Sequence, residues 1–231
     1  MGFFDRFKKK SEPELTKDPL SSESWEELEE ALRFAVLSGF YSGEEVLCLA
    51  RDIAADLCRD SRSLMPKEKE LVQRIERIEH TAQRPQTEAG YYLRLRAVFD
   101  QLNRERIIAL HFAGYTLDDG FAEVDDVVRF MKTEKIPRQG YCFYHQQDVE
   151  RAMDPSLQRL LLAFHSTNGD NQLAAEVGRR IVQLLTENSF TVMWDGSTES
   201  RIEICPFVWD KIYDGEPYGS ERAIEIMRAL I

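Results

Sequence analysis

The spacing of apolar residues changes once along this chain, near residue 105, and that change restricts the fold more than any other feature. Before it, apolar side chains recur every third or fourth residue, the period of one helix face. In "SSESWEELEEALRFAVLSG", Trp25, Leu28, Leu32, Ala35 and Val36 share a face. Ser22 or Ser24 can cap that helix, Glu26, Glu27, Glu29 and Glu30 suit its positive end, and Gly39 fits the stop. A second helix starts at Ser42, with Glu45 three residues on as a capping box, and buries Val46, Ala50, Ile53 and Leu57. A third follows Pro66, with Leu71, Ile75 and Ile78 inside. These read as a helical unit over residues 22–84. The stretch "RPQTEAG" is its joint to a fourth helix, "YYLRLRAVFDQLNRE".

After residue 105 short apolar runs alternate with helical patterns. "RIIALHF" and "YCFYH" read as strands, and "LQRLLLAFH" fits either period. "FTVMW" and "RIEIC" read as a hairpin across a polar turn. "GYTLDDG" reads as a loop, with Asp118 and Asp119 shaping a turn at Gly120 before the helix "FAEVDDVVRFMKT". "QLAAEVGRRIVQLLTEN" and "SERAIEIMRALI", the latter capped by Ser220, are helices. The expected class is α+β: an N-terminal helical unit, then a mixed sheet with helices over residues 85–231. A ferredoxin-like split βαβ and a parallel three-layer α/β sheet both fit the order.

Charge narrows the partners. The chain has 41 acidic and 30 basic residues, a net charge of −11. Nucleic acid is not an expected partner, because phosphate neutralisation needs a basic face. A basic protein is. No run approaches the roughly 18 apolar residues of a membrane span. Residues 1–21 read as a flexible tail, and Pro13, Pro19 and several serines and charges give its second half the character of a linker. Its first ten residues, "MGFFDRFKKK", could make a weak contact with an anionic membrane. Cys48, Cys58, Cys142 and Cys205 lack metal-ligand or redox spacing, as expected of reduced thiols in the cytoplasm.

Three of the four histidines, His111, His145 and His165, fall at or near the C-terminal ends of strand-like runs. Parallel strands would bring all three to the edge where open α/β sheets bind ligands. An opposed second strand would move His145 about 17–20 Å from the others. His145 with Asp148 could form an acid–base pair. The plainer reading puts His145 at the start of a helix, whose free N–H groups Asp148 accepts. Ser166 and Thr167 are candidate nucleophiles only if the fold delivers them. The carboxylates Asp118, Asp119, Glu123, Asp125 and Asp126 lack the ligand spacing of a calcium loop, and no phosphate loop occurs. No cofactor is expected. Trp194, Trp209, Tyr213 and Tyr218 gather late in the chain, as core or as a ligand surface.

Three stretches, "AGYTLDDG", "CFYHQQDVERA" and "FTVMWDGSTESRIEI", together resemble a family of uncharacterised bacterial domains. Its pattern falls on Gly114, Tyr115, Thr116, Asp119 and Gly120, then on Tyr144, His145, Gln147, Asp148 and Ala152, then on Trp194, Gly196, Arg201 and Ile202. The resemblance covers about residues 88–209 and leaves the helical unit outside. It implies a candidate ligand-binding set of Tyr115, Thr116, Asp119, Tyr144, His145, Gln147, Asp148 and Trp194, with no assigned activity. The expected role is a non-enzymatic binding or protein-interaction module, of the kind that immunity proteins represent. The alternative is a hydrolase using His145 as base and Asp148 to orient it.

Overall fold

The computed structural model describes residues 20–61, 65–81 and 90–231. The tail lies outside these residues apart from Leu20 and Ser21, and the joint "RPQTEAG" apart from Gly90. Helix α1 (Ser22–Ser38) is capped by Ser21, whose side chain accepts the Ser24 N–H at 3.0 Å. The cap precedes both expected serines because a cap needs extended backbone, and Ser22 is already helical. Helix α2 (Gly43–Ser61) starts on the reciprocal Ser42–Glu45 box read from sequence: Glu45 accepts the Ser42 N–H at 2.7 Å, and Ser42 Oγ accepts the Glu45 N–H at 3.2 Å. With α3 (Glu68–Thr81) these helices bury Leu28, Leu32, Ala35, Val46, Ala50, Leu71 and Ile75. Leu20 packs into the same core.

The rest runs α4 (Tyr91–Arg104), β1 (Ile107–Leu110), α5 (Leu117–Thr133), β2 (Gly140–Phe143), α6 (Gln146–Met153), β3 (Leu160–Ser166), α7 (Asn171–Glu187), β4 (Val192–Met193), β5 (Ile202–Ile204) and α8 (Gly219–Arg228). The sheet order is β1-β2-β3-β5-β4. β1 and β2 are parallel, and every other neighbouring pair is antiparallel. The class is therefore α+β with a mixed sheet. The parallel alternative describes only the first pairing, and the split βαβ describes only the reversal between β2 and β3. The connections differ in length. The 17-residue α5 carries the chain back along the sheet to a parallel start, and the eight-residue α6, about 12 Å long, does not.

Both faces of the sheet are covered. Ile107 and Ala109 of β1 point into a core shared with α4 and α7, while Ile108 and Leu110 point into a second core under α5 and α8. Two local expectations are corrected. Helix α5 begins at Leu117, so "DDG" is helical. A Thr116–Asp119 capping box starts it early, and Gly120 lies so close to Phe143 that a Cβ there would stand 2.2 Å from the ring. Helix α8 starts at Gly219, with Tyr218 at its cap, and Ser220 lies inside it. Glu123 of α5 accepts the Ser220 N–H and hydroxyl in place of a local cap.

The helical unit is pinned to the sheet domain. Phe40, between α1 and α2, belongs to the α4–α7 core and stacks on Phe112 with centroids 4.4 Å apart. The Trp209 indole donates to the Ser38 carbonyl at 3.0 Å. Gly39 makes this approach possible: at φ +70° it turns the chain, and a Cβ there would meet the Lys211 carbonyl at 2.6 Å. Among the described residues no helix is long and apolar enough to cross a membrane.

Candidate functional site

Strand direction splits the histidines two to one. β1 and β2 are parallel, so His111 and His145, just past their C-terminal ends, lie at one edge. β3 is antiparallel to β2, and His165 pairs opposite Tyr141 at the other end of β2. A three-histidine site therefore does not form. Ser166 pairs with Gly140 at that far edge, and its hydroxyl donates to the Asp170 carbonyl at 2.8 Å. The loops after β1 and β2 are stitched together at the shared edge. Ala113 N–H donates to Tyr144 O at 2.9 Å, Gln146 N–H to Gly114 O at 3.0 Å, and Gln147 N–H to Tyr115 O at 3.4 Å.

His111 is a core residue, 1% exposed. Its Nδ1 lies 2.8 Å from the Tyr144 hydroxyl, and its ring stacks on Phe99 at 4.4 Å. Burial holds its pKa well below the ordinary imidazole value, and the positive charges of Lys211, Arg222 and Arg96 add to the effect. Burial likewise pushes the Tyr144 hydroxyl well up. The two form a neutral pair.

His145 and Asp148 meet as the plainer reading expects, at the start of α6. Asp148 Oδ2 accepts the His145 N–H at 3.2 Å and lies 3.3 Å from His145 Nε2. The carboxylate is fully buried and holds two guanidinium groups: Arg151 at 3.0 Å on Oδ1, and Arg201 at 2.5 Å on Oδ2. Arg201 also donates to the Leu161 carbonyl at 2.6 Å, tying α6 to β3 and to the start of β5. His145 is 1% exposed. Burial lowers its pKa first of all; Asp148 opposes the shift, and Arg201 and Arg151 reinforce it. The imidazole is thus neutral at pH 7, and both carboxylate oxygens are engaged. Chemically this is a clamp on a chain reversal, with both side chains buried.

The other candidate residues divide. Thr116 and Asp119 serve the α5 capping box, in which Asp119 Oδ2 accepts the Thr116 N–H at 2.9 Å. These hydrogen bonds hold the Asp119 carboxyl below its usual range. Gln147 is half-buried beside them, and Tyr115 stands 53% exposed on the same edge. Trp194 is not gathered there. It follows β4, the edge strand farthest from β1, packs edge-on against Phe164 at 5.6 Å and donates to Ser197 O at 3.0 Å. Among the five clustered carboxylates, Asp119 and Glu123 are engaged in helix starts and Asp126 pairs with Arg129. Among the described residues no group of three or more His, Cys, Asp or Glu is placed to hold a metal ion.

Sequence reasoning passed over two features. One is a buried charge network under Tyr92. Lys211 Nζ lies 3.3 Å from Asp214 and 4.5 Å from the Tyr92 ring, Arg96 also holds Asp214, and Arg222 grips Asp100 with two bonds of 2.6 and 2.7 Å. The signal available was Asp100 on the buried face of the α4 pattern. The other is a groove of about 810 Å³ where α1 and α2 meet the α6 edge. Ala31, Phe34, Leu37, Leu49, Ile53 and Met153 give it an apolar lining, and Tyr115 also lines it. Glu27, Glu30, Glu150 and Asp154 supply four carboxylates, against one cation, Arg33. No local pattern announces it, because its walls lie over a hundred residues apart in sequence.

The family model described as Domain of unknown function (DUF6891) matches residues 21–213, and the chain belongs to that family. The match starts at the cap of α1 and takes in the helical unit that the resemblance left outside. No curated protein and no solved structure matches the chain.

Proposed function

We propose that this DUF6891 protein is a non-enzymatic interaction module whose groove between α1, α2 and α6 takes a basic amphipathic helix of another protein. The groove itself carries the reading. Its α1 wall presents Glu27, Glu30, Ala31, Phe34 and Leu37, a stripe at helical spacing about 15 Å long. Its α6 wall presents Gln146, Glu150 and Met153 at the same spacing. Two such walls on an apolar floor suit a further helix laid between them, read through anchors three and four residues apart. The four carboxylates select cations on its outer face and speed encounter. An immunity protein that masks a basic toxin would be one case of this role. A cytoplasmic location suits four cysteines that form no disulfide, of which Cys48 is exposed.

The hydrolytic alternative asks His145 to reach a substrate and Asp148 only to orient it. Burial of both groups and the two arginines on Asp148 count against that use.

The test compares the full-length protein with a Glu27→Lys, Glu30→Lys, Glu150→Lys variant, each immobilised and exposed to extract of the native cell at about 0.1 M salt. The expected result is a stoichiometric basic protein on the unmodified chain, released at high salt and missing from the variant, with circular dichroism unchanged. Equal capture by both chains, or no stoichiometric partner, overturns the proposal.

A further inference from the structure

We infer that the groove's resident occupant is the chain's own segment Phe3–Lys10, held there in cis until a partner displaces it. The inference rests on the groove reading above and adds a means of regulating it. The segment, "FFDRFKKK", lies outside the described residues and complements the groove in charge and apolar character. It carries Phe3, Phe4 and Phe7, a pattern that falls on one side of a helix turn, with Arg6, Lys8, Lys9 and Lys10 against one acid, Asp5. The groove offers the complement of this segment: an apolar lining of Ala31, Phe34, Leu37, Leu49, Ile53 and Met153, with four carboxylates among the lining residues. In a chain of net charge −11, these eight residues form an unusually cationic and aromatic stretch.

Reach is sufficient. The described chain begins at Leu20, buried beside α1, and α1 itself forms one wall of the groove. Residues 11–19 extend to about 30 Å at roughly 3.3 Å each. The far end of the groove, at Leu37, is about 22 Å along α1 from Ser22, at 1.5 Å per residue. Tethering raises the local concentration of the segment to the millimolar range. Even an intrinsic affinity of about 0.1–1 mM then leaves the groove at least half occupied and weakens a competing helix by roughly two- to tenfold.

The experiment places a photo-crosslinking benzoylphenylalanine at position 4 or 7 of the full-length protein, irradiates at micromolar concentration, and maps the adducts by mass spectrometry. The expected adducts are intramolecular, on Phe34, Leu37 or Met153, and a Lys8→Glu, Lys9→Glu, Lys10→Glu chain loses them. Adducts elsewhere, adducts joining two chains, or groove adducts that survive the triple charge reversal overturn self-occupancy. A second measurement separates this claim from the partner reading. A full-length Phe3→Ser, Phe4→Ser, Phe7→Ser chain should capture at least twofold more partner than the unmodified protein. Groove adducts without any captured partner would sink the partner reading and leave self-occupancy standing. Partner capture that the triple Ser chain leaves unchanged would sink self-occupancy and leave the partner reading standing.

Discussion

Replacing Asp148 by alanine should cost about 3–5 kcal/mol, the range for breaking a buried ion pair from one side. The contacts account for the size. Losing the acceptor for the His145 N–H at the α6 start costs about 1 kcal/mol, as for other helix caps. The contact to Arg151 contributes at most about 1, because that side chain is 39% exposed and water screens it. The rest comes from Arg201, about 2–3 kcal/mol, since its guanidinium keeps the Leu161 carbonyl and loses its counter-charge in a part-buried site. For a chain of this size the loss corresponds to a fall in Tm of roughly 6–20 °C. Near-UV circular dichroism, which reports the packing of the sheet domain, would follow it on heating. Adding Arg201→Met to Asp148→Ala removes the orphaned cation and should recover about 1–3 kcal/mol. A single variant within 1 kcal/mol of the parent, or a double variant that merely adds both losses, would show that Asp148 is no clamp. It would also reopen a chemical role for the pair.

Three further outcomes follow from the packing. Gly120→Ala gains helix propensity of up to about 1 kcal/mol but drives a methyl into the Phe143 ring, so urea melts should show a net loss of about 1–3 kcal/mol; an unchanged midpoint would refute the close contact. Stability should fall as pH drops below about 6.5, because the unfolded chain protonates its histidines there while burial keeps His111 and His145 neutral in the fold. The slope is at most about 2.7 kcal/mol per pH unit for the two groups, Glu123 with its raised pKa opposes it at lower pH, and a flat urea midpoint between pH 7.5 and 5.5 would contradict it. Lys211→Met should keep stability within about 1 kcal/mol in thermal melts, since burial already disfavours the ammonium, whereas Asp214→Ala should lose about 3 by stranding Lys211 and Arg96; the reverse ranking would refute this.

What the sequence made legible was local. The Ser42–Glu45 box, the Trp25–Leu28–Leu32 stripe and the hairpin between "FTVMW" and "RIEIC" each depend on residues within a turn or two, and the structure has them. The role of Asp148 at the α6 start was readable for the same reason. The direction of β3 was not, because an eight-residue helix leaves either return open until tertiary packing decides. That one unread fact separated His165 from His111 and His145. The early start of α5 was hidden by Gly120, which signals a turn by composition and here serves a close helix–strand contact.

Four of the buried or part-buried carboxylates share one pattern. Asp148 with Arg201 joins α6 to the β3–β5 pair, Asp100 with Arg222 joins α4 to α8, and Glu105 with Arg180 joins α4 to α7. Asp210 accepts the Tyr91 and Tyr92 N–H groups at 2.7 and 2.8 Å and fixes the start of α4. Each tie connects elements at least 50 residues apart in sequence, and among the described residues no group of three or more His, Cys, Asp or Glu is placed to hold a metal ion. Polar groups used this way tie packed elements to one another across the fold. The unspent charge lies elsewhere: Glu27, Glu30 and Glu150 stand exposed around an apolar floor that already has helices for walls. An interior that ties its own elements together, beside an acidic groove lined by α1, α2 and α6, supports the binding role proposed for this chain.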